Sequence, residues 1–257
     1  MVTGRFAMRE IIRTEGIVKR YENYYALNGV DFVAHEKEIV GLVGDNGAGK
    51  TTLMNIMVGL FPPDSGKIFL EGKEVSFSSP ADARTHGVEI VYQFGNLIEG
   101  LSIYKNFFLG RELRVGPLRV LDRKKMREVS RDILLEIGID QNPEKKIEAL
   151  SGGQMQAVAI GRAFHFGRKV LLLDEPTRNL SIKEVDRSLR RIEMIRDKTD
   201  MCLVFVTHNI SHVFDIADRI VLLDRGEKVF DKQTTDTTIE EVSHLIAKET
   251  VRAHSRG

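Results

Sequence analysis

The chain has only one cysteine among its 257 residues, Cys202, so no disulfide bond can form within it. Cys202 lies in an apolar stretch, and we expect it to be a small buried residue in a reducing, cytosolic compartment. The sequence has no apolar run near the roughly 20 residues that a membrane-spanning helix needs. Residues 1–10 also lack the apolar centre of a signal peptide. We therefore expect any connection with a membrane to come through a partner protein.

An excess of either charge is also absent, because 38 lysines and arginines face 37 aspartates and glutamates, leaving a net charge of +1. No positive field is visible that would indicate nucleic acid as a partner. Six of the seven histidines show no metal-ligand spacing, and we treat them as structural or solvated: His35, His86, His165, His212, His244 and His254. The length fits one α/β domain with an inserted subdomain.

What the chain does contain is a glycine-rich pattern, G-x-x-x-x-G-K-[ST], at residues 44–51. It follows a short apolar segment typical of a buried strand and precedes a segment without helix breakers. In such a loop the backbone N–H groups surround phosphate oxygens, while Lys50 can reach the β- and γ-phosphates and Thr51 can bind Mg²⁺. The pattern predicts a nucleoside triphosphate site. Its predicted contact residues are Gly44, Asp45, Asn46, Gly47, Ala48, Gly49, Lys50, Thr51 and Thr52.

Four further features follow this loop in a fixed order. They are Gln93 after a strand-like segment, Leu-Ser-Gly-Gly-Gln at residues 150–154, Leu-Leu-Leu-Asp-Glu-Pro-Thr at residues 171–177, and His208 after a second apolar segment. Each is a weak signal alone. In this order and at this spacing from Lys50, the chain resembles the ATP-binding cassette family, with its Walker A, Q-loop, signature, Walker B and histidine motifs. The resemblance covers residues 12 to 246, approximately.

The resemblance implies one α/β P-loop NTPase cassette over residues 1–257. Its mostly parallel core sheet and antiparallel β edge subdomain would occupy approximately residues 12–94 and 167–250, and an inserted α-helical subdomain approximately residues 95–166, ending in the signature. Alternating strand and helix patterns favour such a sheet. Between the two core segments the pattern is helical, with Asp122 as the expected N-cap of a helix over 123–137 and Gly138 as its end.

The resemblance also implies ATP and Mg²⁺ as ligands and assigns the hydrolytic roles. Thr51 and Gln93 would bind the metal, and Asp174 would act on it directly or through water. Glu175 would polarise the attacking water, and His208 would contact the γ-phosphate. Taken alone, the two adjacent carboxylates could be a helix cap or a solvated acid pair, and the histidine could be structural.

An aromatic side chain is expected to stack on the adenine ring. The resemblance favours Tyr21 for this role, and Tyr24 or Tyr25 would take it if the strand register differs by a few residues. Tyr21 could also be an ordinary aromatic residue of the edge sheet.

In the family, the signature of one cassette faces the Walker A motif of another, so the resemblance implies a dimer. Ser151 and the N–H of Gly153, at a predicted helix N-terminus, suit an anion brought by the partner. An ordinary serine N-cap is compatible with this role. The partner is a second copy or a paralogue, and a homodimer would have two intact sites. The signature residues predicted to contact nucleotide are Ser151, Gly152, Gly153 and Gln154.

Residues 91–112 resemble the importers of monosaccharides such as ribose, xylose, galactose or fructose, in a single-cassette form. The implied partners are transmembrane permease subunits and, indirectly, an extracytoplasmic solute-binding protein, which places the chain peripherally on the cytoplasmic face of the cell membrane. The alternatives are an importer of another solute such as branched-chain amino acids, an exporter subunit, a soluble cassette acting on ribosomes or DNA, and a regulatory cassette with poor turnover.

Two features remain open at this stage. The D-loop departs from the family pattern at Arg178, Asn179 and Ser181, and Arg178 would form an interface ion pair, slow closure, or be solvated. Phe107 and Phe108 would contact a membrane partner or form the core of the helical subdomain.

Overall fold

The structure is a computed structural model that describes residues 8–92 and 97–254, with residues 248–254 described by their backbone alone. Its strands are β1 (Glu10–Tyr21), β2 (Tyr24–His35), β3 (Ile39–Val43), β4 (Ser65–Leu70), β5 (Lys73–Val75), β6 (Val88–Val91), β7 (Arg114–Val115), β8 (Val120–Leu121), β9 (Val170–Asp174), β10 (Cys202–Val206), β11 (Arg219–Asp224) and β12 (Glu227–Gln233). Its α-helices are α1 (Lys50–Met57), α2 (Pro80–Thr85), α3 (Ile103–Phe107), α4 (Arg123–Glu136), α5 (Gly152–Phe166), α6 (Ile182–Lys198), α7 (Ile210–Ile216) and α8 (Ile239–His254). Two short 3₁₀ turns are Ile147–Ala149 and Thr234–Asp236.

The central sheet has the strand order β12-β11-β3-β10-β9-β6. All neighbouring pairs are parallel except β11 and β12, which are antiparallel. The carboxyl ends of β3, β9 and β10 therefore meet at one edge of the sheet, where Val206 is in register with both Leu42 and Asp174. Every chemical motif described from these strands projects from this edge, which confirms the predicted, mostly parallel core.

The parallel strands of this sheet are buried on both faces, whereas the antiparallel edge strand β12 is mostly exposed. All residues of β3 and β10 are inaccessible to water, as expected for strands covered by helices on either side. Alternate side chains enter two cores: Leu172 and Val204 pack in one, and Leu173 and Phe205 in the other. Cys202 is a free, fully buried thiol whose pKa is raised by burial, which confirms its predicted core position.

The second sheet is antiparallel and has the order β2-β1-β4-β5. Leu27 and Phe32 of β2 share a core with Leu53 and Met54 of α1. The edge sheet thus packs directly on the helix that follows the glycine loop, and this contact confirms the antiparallel region expected beside the phosphate site.

The segment between β6 and β9 is mostly helical, as expected. Asp122 caps α4 by accepting a hydrogen bond from the N–H of Lys125, and Gly138 follows the helix with a φ of 75°. A two-stranded hairpin of β7 and β8 interrupts the helices, which the helical pattern did not predict. Its turn contains Gly116 in the left-handed region. Phe107 and Phe108 are both fully buried, so both belong to the core of this segment.

A buried ion pair joins the amino ends of β3 and β11, at the edge of the sheet opposite the motifs. Nε of Arg219 lies 2.7 Å from Oε1 of Glu38, and these residues are 7% and 1% exposed. Oε2 of Glu38 also accepts a hydrogen bond from the N–H of His35 and lies 2.9 Å from its Nδ1. No helix among the described residues is long and apolar enough to cross a bilayer.

Candidate functional site

The glycine loop connects β3 to α1 in a conformation that glycine alone adopts readily. Gly44, Gly47 and Gly49 have φ values of 143°, 81° and 103°. A Cβ on Gly44 would lie 2.2 Å from the carbonyl oxygen of Leu223, and one on Gly49 would lie 2.5 Å from that of Ala26. These two glycines therefore permit β11 and β2 to approach the loop closely. α1 begins at Lys50, so its N-terminus lies at the end of the loop.

A cleft with a volume of about 250 Å³ lies at the loop and the helix N-terminus. Residues of three strand ends surround it, so the cleft brings the Walker A and Walker B residues together. The predicted site residues that line it are Asn46, Gly47, Ala48, Gly49, Lys50, Thr51, Thr52, Asp174 and Glu175. Gly44 and Asp45 belong to the same loop but do not line the cleft.

Lys50 is bound to its own loop. Its Nζ donates to the carbonyl oxygens of Gly44, at 2.8 Å, and Asp45, at 2.9 Å. Burial lowers the pKa of Lys50, whereas the nearby charges of Glu175, Asp45 and Asp174 raise it. The cleft therefore contains a partly desolvated ammonium group beside a helix N-terminus, and both features favour an anion.

Asp174 is the last residue of β9, and Glu175 follows it directly. Glu175 has a φ of 50°, in the left-handed region that costs energy for a residue with a Cβ. Burial and the charge of Glu175 raise the pKa of Asp174, and Lys50 opposes this effect. Two carboxylates close together in a partly desolvated cleft favour the arrival of a cation.

Glu175 is held by the loop after β10. Its Oε1 accepts a hydrogen bond from the N–H of His208 at 3.0 Å and lies 2.9 Å from Nδ1 of the same residue. Its Oε2 accepts from Oγ1 of Thr207 at 3.3 Å. The Glu175 side chain is 13% exposed and the His208 side chain 63%, so the structure brings the two predicted catalytic residues into contact at the cleft.

The tyrosines are placed differently from the sequence expectation. Tyr24 lines the cleft and is 61% exposed. Tyr21 does not line it, and its ring centroid lies 5.8 Å from that of Tyr24 and 6.3 Å from that of Phe61. The geometry favours Tyr24, one of the two alternatives, as the aromatic surface beside the phosphate loop. Stacking by Tyr21 stays a prediction, and Gln93 lies outside the described residues.

The signature lies in a different concavity, which is lined by Ser151, by residues of α5 and α6, and by the loop that follows α4. Ser151 is the N-cap of α5: its Oγ accepts from the N–H of Gln154 at 3.3 Å, and its own N–H donates to Oε1 of Gln154 at 3.0 Å. The expected helix cap is therefore confirmed. Of the four signature residues, none lines the phosphate cleft of the same chain.

One residue of this concavity was missed by the sequence reading. Oε1 of Glu184 accepts a hydrogen bond from Oγ of Ser151 at 3.2 Å, and its Oε2 accepts from Oγ and N–H of Ser181 at 3.0 and 3.2 Å. Hydrogen bonds from Ser181, and then from Ser151 and Gly153, lower the pKa of Glu184. The S-x-x-E spacing from Ser181 was a visible signal for a capping box, but the contact with the signature was not.

The carboxyl ends of the parallel strands carry a glycine loop with its lysine, two carboxylates and a histidine. This combination defines a P-loop nucleotide-binding protein. Residues 27–178 match the ABC transporter family. The chain belongs to this family and is an ATP-binding cassette ATPase.

Related proteins extend the match beyond the central region. The chain is 42% identical to a xylose/arabinose import ATP-binding protein of Sulfolobus acidocaldarius, covering 93% of this chain and 94% of that protein. It is 41% identical to a fructose import ATP-binding protein of Rhizobium meliloti, over 91% and 93%. It is 32% identical to a ribose import ATP-binding protein of Caldanaerobacter subterraneus, but spans only 49% of that relative's length.

Solved structures support the fold. A nucleotide-free ATP-binding cassette from an ABC transporter superposes with a TM-score of 0.80 at 24% identity, covering 93% of this chain and 95% of the other. The cbiO1 protein of Clostridium perfringens superposes with a TM-score of 0.77 at 25% identity, over 95% and 94%. The predicted cassette fold is confirmed.

Proposed function

We propose that this chain is the ATP-hydrolysing subunit of an ABC importer and drives the uptake of a monosaccharide through membrane permease subunits. The observation that carries this proposal is the likeness to the xylose/arabinose and fructose import proteins. In each comparison the match covers more than nine-tenths of this chain and of the relative. The predicted phosphate-binding and acidic residues that line the cleft support an active rather than a regulatory cassette.

ATP would bind with its phosphates at the glycine loop and the N-terminus of α1. The loop N–H groups and Lys50 are the donors that this part of the chain offers to phosphate oxygens. Tyr24 or Tyr21 would supply the surface for the adenine ring. The carbonyl oxygens of Gly44 and Asp45, which now accept from Lys50, would be exchanged for phosphate oxygens.

The residues present fit a magnesium ion. Thr51 and Asp174 line the same cleft and offer a hydroxyl and a carboxylate, the oxygen ligands that Mg²⁺ prefers. The raised pKa of Asp174 indicates a carboxylate short of positive partners. We propose that these two residues, with Gln93, hold the ion, which when bound would neutralise charge on the β- and γ-phosphates.

Glu175 is proposed as the residue that activates water. Its carboxylate would accept a proton while the water oxygen bonds to the γ-phosphorus and the bond from that phosphorus to ADP breaks. The products are ADP and inorganic phosphate, and the proton passes from Glu175 to solvent or to phosphate. His208 donates to Glu175 through its backbone N–H, which fixes the carboxylate, and its exposed imidazole is proposed to contact the γ-phosphate.

A second copy would complete each site. Ser151 and the N–H of Gly153 are proposed to bind the γ-phosphate held by the partner, so the active unit is a dimer, proposed here as a homodimer. A serine hydroxyl has one proton, and that of Ser151 is donated to Glu184. The signature must therefore exchange Glu184 for phosphate when the dimer closes.

The proposed location is the cytoplasmic face of the cell membrane, where the chain would be held by permease subunits. An extracytoplasmic binding protein would deliver the sugar, and ATP-driven closure of the dimer would change the access of the permease. Hydrolysis would reopen the dimer. We expect the permease to dock beside Gln93 and the following helical segment.

The test is co-purification from native membranes with this chain as bait, in the presence of ATP and Mg²⁺, followed by mass spectrometry. The matched control is the Lys50→Ala chain, which should lose ATP-dependent partners. A polytopic permease and a sugar-binding protein are the expected result. Recovery of a binding protein for another solute class would overturn the sugar assignment, and ribosomal or DNA-repair partners without a permease would overturn the importer.

A further inference from the structure

His212 links two loops that carry the proposed catalytic residues. It lies on α7, and its Nδ1 is 3.1 Å from Oγ1 of Thr177, a buried residue just after Glu175. Its Nε2 is 3.1 Å from Nδ2 of Asn209, the residue after His208. His212 does not line the phosphate cleft, so it reaches the reaction through these two neighbours.

The neighbouring hydrogen bonds assign the proton on the imidazole. Oδ1 of Asn209 accepts from the N–H of Ser211 as the N-cap of α7, at 3.1 Å. The Asn209 amide nitrogen, a donor, therefore faces Nε2 of His212, which must accept. A neutral imidazole then carries its proton on Nδ1 and donates it to Thr177. His212 is thus an acceptor on one side and a donor on the other.

This bridge closes a ring of hydrogen bonds around Glu175. On one side, Glu175 accepts from Thr207 and His208. On the other, the N–H of Asn209 donates to Oγ1 of Thr207 at 3.1 Å, and His212 connects Asn209 to Thr177. Two points are therefore tied to the loop after β10: the Glu175 carboxylate directly, and Thr177 through His212. Together these ties fix the orientation of the carboxylate.

We propose that His212 is a positioning residue for ATP hydrolysis, because it holds the segment after Glu175 against the loop that carries His208. The inference rests on the proposed roles of Glu175 and His208. It gives a role to a histidine that was predicted from the sequence to be structural or solvated. A shift of about 1 Å in a catalytic group can cost about a hundredfold in rate, so loss of the bridge should lower kcat.

Two conservative variants break the bridge at opposite ends. In His212→Asn, the shorter amide reaches only the position of Nδ1 and keeps the contact with Thr177. In His212→Gln, the longer amide reaches the position of Nε2 and keeps the contact with Asn209. We expect each to lower kcat about tenfold or more while the KM for ATP stays within about twofold, because nucleotide contacts are untouched.

Thr177→Val supplies the double-mutant cycle. Combined with His212→Gln, which has already lost the Thr177 contact, it should add no further loss in kcat. Combined with His212→Asn, it should also add little, because a bridge already broken at Asn209 no longer ties the Thr177 segment to the loop. Additive losses of kcat in both combinations would overturn the proposal that His212 bridges Thr177 and Asn209.

The experiment measures phosphate release by the purified chain with saturating ATP and Mg²⁺, beside thermal melting of each variant. His244→Gln, at an exposed position on α8, is the control and should match the wild type. Wild-type kcat in both His212 variants, or a loss of kcat that follows a loss of folded protein, would overturn the proposal. Glu175→Gln is measured in parallel. If it turns over normally, the proposed role of Glu175 fails as well; if only the His212 variants are normal, the failure concerns His212 alone.

Discussion

Replacing Arg219 with methionine should leave a buried carboxylate without its cation. Glu38 is 1% exposed, and its Oε1 lies 2.7 Å from Nε of Arg219. Arg219 also donates to Oδ1 of Asp231 and to the carbonyl oxygen of Val33. Methionine fills a similar length but donates no hydrogen bond. The variant therefore keeps most of the packing and loses the charge pairing.

Breaking a buried ion pair from one side costs about 3–5 kcal/mol, because the remaining charge stays desolvated. The remaining bonds from His35 to Oε2 of Glu38 place this variant toward the lower part of that range. For a protein of this size, each kcal/mol lowers the Tm by about 2–4 °C. The expected fall in Tm is therefore about 6–20 °C.

The assay is urea unfolding followed by circular dichroism, with thermal melts in parallel. Arg190→Met is the matched control, because Arg190 pairs with Asp186 at a site where the two side chains are 75% and 57% exposed. Its loss should cost less than about 1 kcal/mol. Adding Glu38→Gln to Arg219→Met should restore part of the stability, because it removes the unpaired charge.

A free energy of unfolding within about 1 kcal/mol of the wild type in Arg219→Met would show that the buried Glu38 does not need Arg219 as its partner. Since the pair lies at the amino ends of β3 and β11, away from the cleft, the affinity of the folded variant for ATP should be unchanged. A large loss of affinity in protein that is still folded would show that the pair acts on the site and not on stability alone.

Three other variants test the cleft and the signature. Glu175→Gln should bind ATP, lose about 10²–10⁴-fold in turnover and accumulate an ATP-dependent dimer by gel filtration, because proton acceptance is lost while phosphate contacts remain; normal turnover contradicts the assignment. Lys50→Ala should weaken nucleotide binding in a fluorescence titration, and unchanged affinity would exclude the phosphate-cradle role. Glu184→Gln is introduced into the Glu175→Gln chain and removes a negative charge beside Ser151. The double variant should therefore form the dimer at an ATP concentration about two- to fivefold lower. A shift to higher ATP concentration would indicate that Glu184 assists closure.

The mostly parallel core, the antiparallel edge region and the glycine loop could be predicted because they depend on local patterns. The glycine loop, the capping box of Ser151 and the burial of Cys202 each follow from residues close together in the chain. The positions of Tyr21 and Tyr24 could not be separated in this way. Tyr21 ends β1, a turn with Glu22 in the left-handed region follows, and Tyr24 begins β2, so a shift of three residues decides which ring meets the cleft.

Contacts between residues far apart in the chain could not be predicted from the sequence. Glu184 meets Ser151 across 33 positions, and His212 meets Thr177 across 35. No periodicity or spacing encodes such pairs, because they depend on how α6 and α7 pack beside α5 and β9. The hairpin of β7 and β8 was missed for a different reason: two strands of two residues each are too short to produce an alternating pattern.

The proposed mechanism requires that the signature of one copy completes the nucleotide site of another. The most direct test is the rate of phosphate release by the purified chain, measured over a wide range of protein concentration at saturating ATP and Mg²⁺. At low concentration, the rate should rise with the square of protein concentration, because two chains must meet before either turns over. A strictly linear rise from a monomeric chain would contradict it.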